Sequence, residues 1–299
     1  METLDTGTRV ALRNILFLTD FSEPSEVALP FATAIARKYG AKIHALHVLI
    51  PDPYVYATPI SVGFVKEAEE ESAKAEMQRV ESRLAGVPYE TILEWGVEVW
   101  PTIDQTIKDR DIDLIVIGTH GRTGAQKFLL GSVAEEIFRR SPVPVLTIGP
   151  NIRVGLHSGA RLHKILFATD FSPEAIAAAP FAVSLAKENR ARLLLLHVIP
   201  QRESREDQQQ VDLSVAEALH QLYEVVPKNA ELDTPPEVVV EYGDTAARIL
   251  EAAEQRGADL IVLGVRDAAG RLGAATHLER ATAHKVVAHA ACPVLAVRG

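Results

Sequence analysis

The strongest constraint in this sequence is that it repeats itself. The stretch ILFLTDFSEPSEVALPFATAIARKYGAKIHALHVLI, starting at Ile15, returns at Ile165 as ILFATDFSPEAIAAAPFAVSLAKENRARLLLLHVIP, with 16 of 36 positions identical at a shift of 150. Further on, DLIVIG at Asp113 returns as DLIVLG at Asp259, and SPVPVLTI at Ser141 returns as ACPVLAV at Ala291. Self-similarity at a fixed spacing outranks other fold signals, because each copy must carry its own core. The 299 residues are also close to twice a usual domain length of roughly 150. The expected organisation is one domain over residues 1–150, a second over 164–299, and a join at 151–163. That join, NIRVGLHSGARLH, is polar, contains glycine and has no periodicity, as linkers do.

Within one copy, short continuous apolar runs alternate with segments of helical spacing. Ile15–Leu18, Lys42–Leu49, Tyr89–Glu94, Leu114–Ile117 and Val143–Ile148 read as strands, the apolar ones buried on both faces. Between them, Glu26–Tyr39 with a stop at Gly40, roughly Val65 to Leu84, Trp100–Asp109 and Ser132–Arg139 read as helices, with turn and capping chemistry at Phe21–Glu23. A loop with Pro51, Pro53 and Pro59 follows the second strand. Strands alternating with helices imply a parallel sheet with right-handed crossovers. The expected fold is therefore α/β, two tandem Rossmann-like domains, each a five-stranded parallel sheet flanked by helices. Ligands in such sheets sit beyond the carboxyl ends of the strands, where the strand order reverses. The chemistry is expected just after Leu18, Val48 and Ile117.

Composition narrows the partners. The chain is 47% hydrophobic and 24% charged, which excludes a mostly disordered protein. A net charge of −9 repels phosphate backbones and anionic lipid, so neither nucleic acid nor membrane is an expected partner. The start carries Glu2, Asp5, Arg9 and Arg13 without an apolar signal core, and the lone Cys292 has no internal disulfide partner. A cytoplasmic location is the expectation.

The most informative stretch follows Ile117: GTHGRTGAQKFLLGSVAEEIF. Gly118 would let the chain leave the strand sharply, and Gly121 would let a backbone amide approach a bulky anion with no Cβ in the way. Gly131 and Ser132 open a helix, so unpaired amides and the positive end of the helix dipole would face a phosphate there. The Ser132 hydroxyl can cap the helix or donate to a phosphate oxygen. Arg122 and Lys127 would add positive charge. The plainer alternative is a strand-to-helix connection with glycine turns and a serine cap. Neither a Walker loop nor a G-x-G-x-x-G fingerprint occurs. At the first strand end, Asp20 can accept hydrogen bonds from ribose hydroxyls or simply cap the next helix.

Together, the G-x2-G-x9-G-S spacing after a buried strand, the opening LTDFS and the closing SPVPVL resemble the universal stress protein family, over nearly the whole chain. The resemblance is to tandem-domain members of its ATP-binding branch. It implies ATP as the ligand, with or without Mg²⁺. Leu18, Thr19, Asp20 and Val48 would hold adenine and ribose. Ile117, Gly118, His120, Gly121 and Arg122 would follow the phosphates, and Gly131, Ser132, Val133 and Ala134 would complete the cradle. His120 has the alternative of merely facing solvent.

The second copy departs from the motif. Gly264 matches Gly118, but Asp267 stands where Gly121 should be. Aligned on the final proline, Pro144 to Pro293, Gly131 and Ser132 fall opposite Arg280 and Ala281; aligned earlier, they fall opposite His277 and Leu278. Neither register restores Gly-Ser at a helix start, and a carboxylate beside a phosphate repels it by about 1 kcal/mol at 4 Å even in full water screening. Asp170 and Val198 survive, which leaves a weak adenosine or AMP pocket open. One competent nucleotide site, in the first half, is the expectation.

Other candidates carry less. His277, His284 and His289 are spaced seven and five apart, which does not stack metal ligands as i, i+4 pairs do. Cys292 reads as a buried inert thiol, and His47 and His197 as core or rim histidines. Lys66–Arg83 reads as a solvated helix face and Glu203–Gln210 as an exposed loop or helix start. Three functions stay open: an ATP-binding stress-response or signalling protein, a slow ATPase or phosphotransferase, and a scaffold with an incidental ligand. Against the enzyme, the motif offers no evident general base and no acidic pair for Mg²⁺. The two domains are expected to pair as a pseudo-dimer through Val143–Ile148 and Val294–Val297, which would otherwise be apolar edges. Further homodimerisation is compatible with this.

Overall fold

A computed structural model describes residues 10–51, 62–119, 130–152, 162–200, 208–265 and 282–298. The first copy runs β1 (Asn14–Leu18), α1 (Glu23–Tyr39), β2 (Lys42–Leu49), α2 (Val62–Arg83), β3 (Tyr89–Trp95), α3 (Val99–Asp109), β4 (Leu114–Gly118), α4 (Ser132–Arg140) and β5 (Val145–Ile148). The second runs β6 (Lys164–Ala168), α5 (Pro173–Asn189), β7 (Arg192–Ile199), α6 (Gln208–Val225), β8 (Glu237–Tyr242), α7 (Thr245–Arg256), β9 (Leu260–Val265), α8 (Thr282–His289) and β10 (Val294–Arg298). The fold class is the one expected: α/β, in two repeated domains. No helix among the described residues is long and apolar enough to cross a membrane.

Contacts divide the chain into two compact units. One is Ala11–Val145; the other gathers the residues from Leu146 onward together with Val10, whose N–H donates to Ser184 Oγ at 3.1 Å. In the first, the strands lie in the order β3-β2-β1-β4, and all three pairings are parallel. The chain leaves β1 in one direction to β2 and β3, then returns to lay β4 on the other side. The strand order therefore reverses between β1 and β4, and a crevice opens beyond their carboxyl ends. In the second unit the order β10-β9-β6-β7-β8, again parallel, puts the same reversal between β6 and β9.

Central strands are sealed. Ile15, Leu16, Ile115 and Val116 are at 0% exposure, as are their counterparts Ile165, Leu166, Ile261 and Val262, which is why these runs are apolar without alternation. Helix α1 starts three residues before its apolar periodicity does, because Pro24 occupies its first turn, where a missing N–H costs nothing. It ends at Gly40 in the left-handed region, φ 67°, as the sequence suggests. The second copy makes the same turn with Arg190 at φ 51°, a conformation less comfortable for a residue with a Cβ.

Candidate functional site

The carboxyl ends of β1, β2 and β4 line one cleft together with the first turn of α4. Leu18, Thr19 and Asp20 come from the first strand end, Leu46, His47 and Val48 from the second, and Ile117, Gly118 and Thr119 from the fourth. Gly131, which precedes α4, and Ser132, Val133 and Ala134 in its first turn face them, and Ser25, Val99 and Ile103 complete the walls. Ten of the expected site residues thus meet in one place. His120, Gly121 and Arg122 lie outside the described residues.

Thr19 is the fixed point of this cleft. Its N–H donates to Leu46 O at 3.1 Å, continuing the β1–β2 ladder. Its carbonyl accepts from His47 Nδ1 at 2.8 Å, and its Oγ1 accepts the Phe21 N–H at 3.0 Å. Ser25 Oγ already donates to Ser22 O at 2.8 Å, so in the 3.1 Å contact between Thr19 Oγ1 and Ser25 Oγ the threonine is the donor. With every polar group engaged, Thr19 sits at 8% exposure without an unmet hydrogen bond.

Asp20 follows at the rim, half-buried. Its Oδ1 accepts the Ser22 N–H at 3.1 Å, closing a turn two residues on, and also the Ser22 hydroxyl. The helix-cap position belongs to Ser22, not Asp20. Asp20 therefore presents a carboxylate held by the turn that it closes.

Two glycines have duties other than those the motif suggests. A Cβ at Gly118 would lie 2.6 Å from Pro24 O and 2.8 Å from Pro24 C. Gly118 is thus required by the close approach of α1's first turn to the end of β4, and no left-handed backbone is involved. Gly264 has the same duty in the second unit, where a Cβ would lie within van der Waals overlap of the Glu174–Ala175 backbone. Gly131 does not offer a spare amide: its N–H donates to Thr119 O at 2.8 Å, and its carbonyl accepts from Glu135 at 2.8 Å. Its φ and ψ, −61° and 148°, suit any residue. The amides that α4 leaves without an intrahelical partner belong to its first turn, Ser132, Val133 and Ala134. They carry the positive end of the helix dipole into the cleft.

Sequence reasoning missed Ser25, Leu46, Val99, Ile103 and Thr119 as cleft residues, and treated His47 as an ordinary rim histidine. A signal for His47 existed: a histidine standing at the same place near the end of two largely apolar strands. Ile103, in the core, and the half-buried Val99 four residues before it on α3 both line the cleft, which no pattern announces. In the second unit, β9 ends at Val265 and α8 begins at Thr282; Asp267, His277 and Arg280 lie outside the described residues. Cys292 is buried, and burial pushes its thiol up to about 12, with Asp259 adding to the effect. It therefore stays protonated and unreactive at neutral pH.

A family model described as the universal stress protein family matches residues 11–149 and again 161–298. The universal stress protein MJ0577 of Methanocaldococcus jannaschii is 30% identical, covering 46% of this chain and 96% of its own length. A universal stress protein of Thermus aquaticus is 31% identical and covers 46% of this chain and 98% of its own. Each of these relatives matches about half of this chain. A crystal structure of a universal stress protein from Archaeoglobus fulgidus, 24% identical, shares the fold with a TM-score of 0.65 over 95% of this chain and 96% of its own. Two family matches that together span nearly all of the sequence place this chain in the universal stress protein family, as a member with two repeats.

Proposed function

We propose that this universal stress protein binds ATP, with or without Mg²⁺, in the first-repeat cleft, and acts in stress response or signalling through nucleotide-dependent conformation or partner binding. The observation that carries this reading is the convergence of a held carboxylate, an apolar wall and a helix N-terminus in one crevice. The two polar ends fix the orientation of the ligand. Asp20 repels phosphate and accepts hydroxyl hydrogens, so ribose belongs beside it, with adenine against Leu18, Thr19 and Val48. The first turn of α4 attracts anions, so the phosphates belong at Gly131, Ser132, Val133 and Ala134. Ile117 and Gly118 lead the phosphates there, joined by His120, Gly121 and Arg122. The site belongs wholly to the domain proposed for residues 1–150.

Titration of the full chain with ATP, ADP, AMP and adenosine tests this. The affinity should fall stepwise as phosphates are removed, because α4 loses its ligand first. Adenosine binding as tightly as ATP would remove α4 from the site, and no binding by any of the four would remove the site.

A further inference from the structure

Both repeats carry the same clasp after their first strand. His47 Nδ1 donates to Thr19 O at 2.8 Å, and His197 Nδ1 donates to Thr169 O at 2.8 Å. Each imidazole lies against a phenylalanine ring two residues beyond that threonine, at 4.3 Å between centroids for Phe21 and 4.6 Å for Phe171. Both phenylalanines have φ 61°, a left-handed conformation that residues with a Cβ hold only where surrounding contacts enforce it. The histidine is one such contact, beside the threonine Oγ1 that accepts the phenylalanine N–H. It ties the strand end by a hydrogen bond and receives the ring that the strained turn throws back.

The two clasps differ in what the turn does with its serine. In the second repeat Ser172 caps its helix, accepting the Ala175 N–H at 3.3 Å. In the first, Ser22 makes no side-chain cap; its hydroxyl donates to Asp20 Oδ1 instead. The first repeat forgoes a stabilising helix cap and uses that group to hold Asp20, the residue between the Thr19 anchor and Phe21.

We infer that His47 is a positioning residue for the nucleotide: through Thr19 and Phe21 it directs the Asp20 carboxylate at the ribose hydroxyls. The inference rests on the ATP reading above and adds a residue that acts through others. Nδ1–H donation to a carbonyl fixes the neutral ring as one tautomer, so the clasp has a defined geometry that an amide can copy.

The test uses the full chain and two probes, ATP and 2′,3′-dideoxy-ATP, which lacks both ribose hydroxyls. His47→Leu should weaken ATP about tenfold, or 1.4 kcal/mol, and dideoxy-ATP less than about twofold. His47→Asn, whose side-chain amide nitrogen stands where Nδ1 stood, should recover most of the loss. His197→Leu should leave ATP affinity unchanged. Should His47→Leu fail to fold, Phe21→Leu reads the same ratio of ATP to dideoxy-ATP. Equal losses for both nucleotides, or no loss for ATP, would overturn the inference and leave the site standing. An unaltered chain that binds neither nucleotide overturns the site reading, and this inference with it.

Discussion

At the ends of β1 and β6 the two repeats share hydrogen bonds of one threonine and differ in the serine that follows it. Thr19 and Thr169 donate to Leu46 O and Leu196 O, accept from Phe21 and Phe171, and receive His47 and His197 on their carbonyls. Across the crevice, Gly118 and Gly264 both yield to a helix that comes too close for a Cβ. At the other end of the cleft the likeness stops. The first repeat has Gly131-Ser132 where the second has Arg280-Ala281 when aligned on Pro144 and Pro293, whose carbonyls play one role, accepting from Ile115 and Ile261. The shared residues have a second duty in folding, so their survival in the second repeat says little about a ligand there. Gly131 has no such duty in its backbone angles. A position whose backbone suits any residue is free to change where no ligand needs it, and on the ATP reading proposed above that is where the copies diverge.

The largest expected effect breaks both copies alike. Gly118→Ala and Gly264→Ala each drive a Cβ into backbone that cannot rotate away. Each should cost about 3 kcal/mol or more, lowering the melting midpoint of its unit by about 10 °C. Thermal melts that leave either unit unchanged would show that the close approach is not required.

The next effects separate the copies. Gly131→Val should keep the fold, since the backbone there is ordinary and its N–H can still reach Thr119. Its side chain would crowd the phosphates at α4, with an expected ATP loss of about 100-fold, or 2.7 kcal/mol. Asp20→Asn preserves an acceptor for the Ser22 N–H but removes the charge offered to ribose. ATP should weaken about tenfold, in keeping with roughly 1.5–3 kcal/mol for a charge-assisted hydrogen bond. Asp170→Asn should leave ATP binding alone. Calorimetry on the four chains reads all of these, and equal losses for Asp20→Asn and Asp170→Asn would erase the distinction between the repeats.

The smallest effect lies at the opposite end of the sheet. His44 is 2% exposed, with Nε2 on Asn14 Oδ1 at 3.2 Å and Nδ1 3.4 Å from Glu90 Oε2. Burial lowers its pKa below the usual 6.5, helped by Lys42 and Arg110 and opposed by Glu90. Glu90 itself, held by Lys42 and Arg110, is lowered to about 2 and stays charged throughout the window. The unfolded chain therefore takes up the His44 proton first, and stability present above pH 6.5 is lost as pH falls through the lower folded value. The second repeat has Leu194 opposite Glu237 at the corresponding register. His44→Leu should leave urea midpoints nearly unchanged at pH 7.5 and stabilise the protein at pH 5.5, by about 1 kcal/mol at most. A variant less stable at pH 5.5 than the parent would reverse that assignment.

Much of this was legible in the sequence. The repeat gave the tandem organisation, and apolar runs without alternation gave buried parallel strands, with Lys42–Leu49 matching to the residue. Of the ten cleft residues, most followed from strand ends and the glycine spacing, while Thr19, Val133 and Ala134 came with the family resemblance. What stayed hidden depends on contacts between distant segments. That Gly118 serves the approach of Pro24, and that the Gly131 amide is taken by Thr119, are facts of packing that no local pattern encodes. His47 looked like a rim histidine because its partners, a carbonyl 28 residues away and a ring in a strained turn, are visible only in three dimensions.

The central claim is that one repeat binds nucleotide and the other keeps only the shape of a binding site. It is tested most directly by counting ATP bound to the full chain at saturation, by calorimetry and by native mass spectrometry, with Gly131→Val beside the parent. The account predicts one ATP per parent chain and none at the same concentration for the variant. Two ATP per chain, or one that survives Gly131→Val, would contradict it.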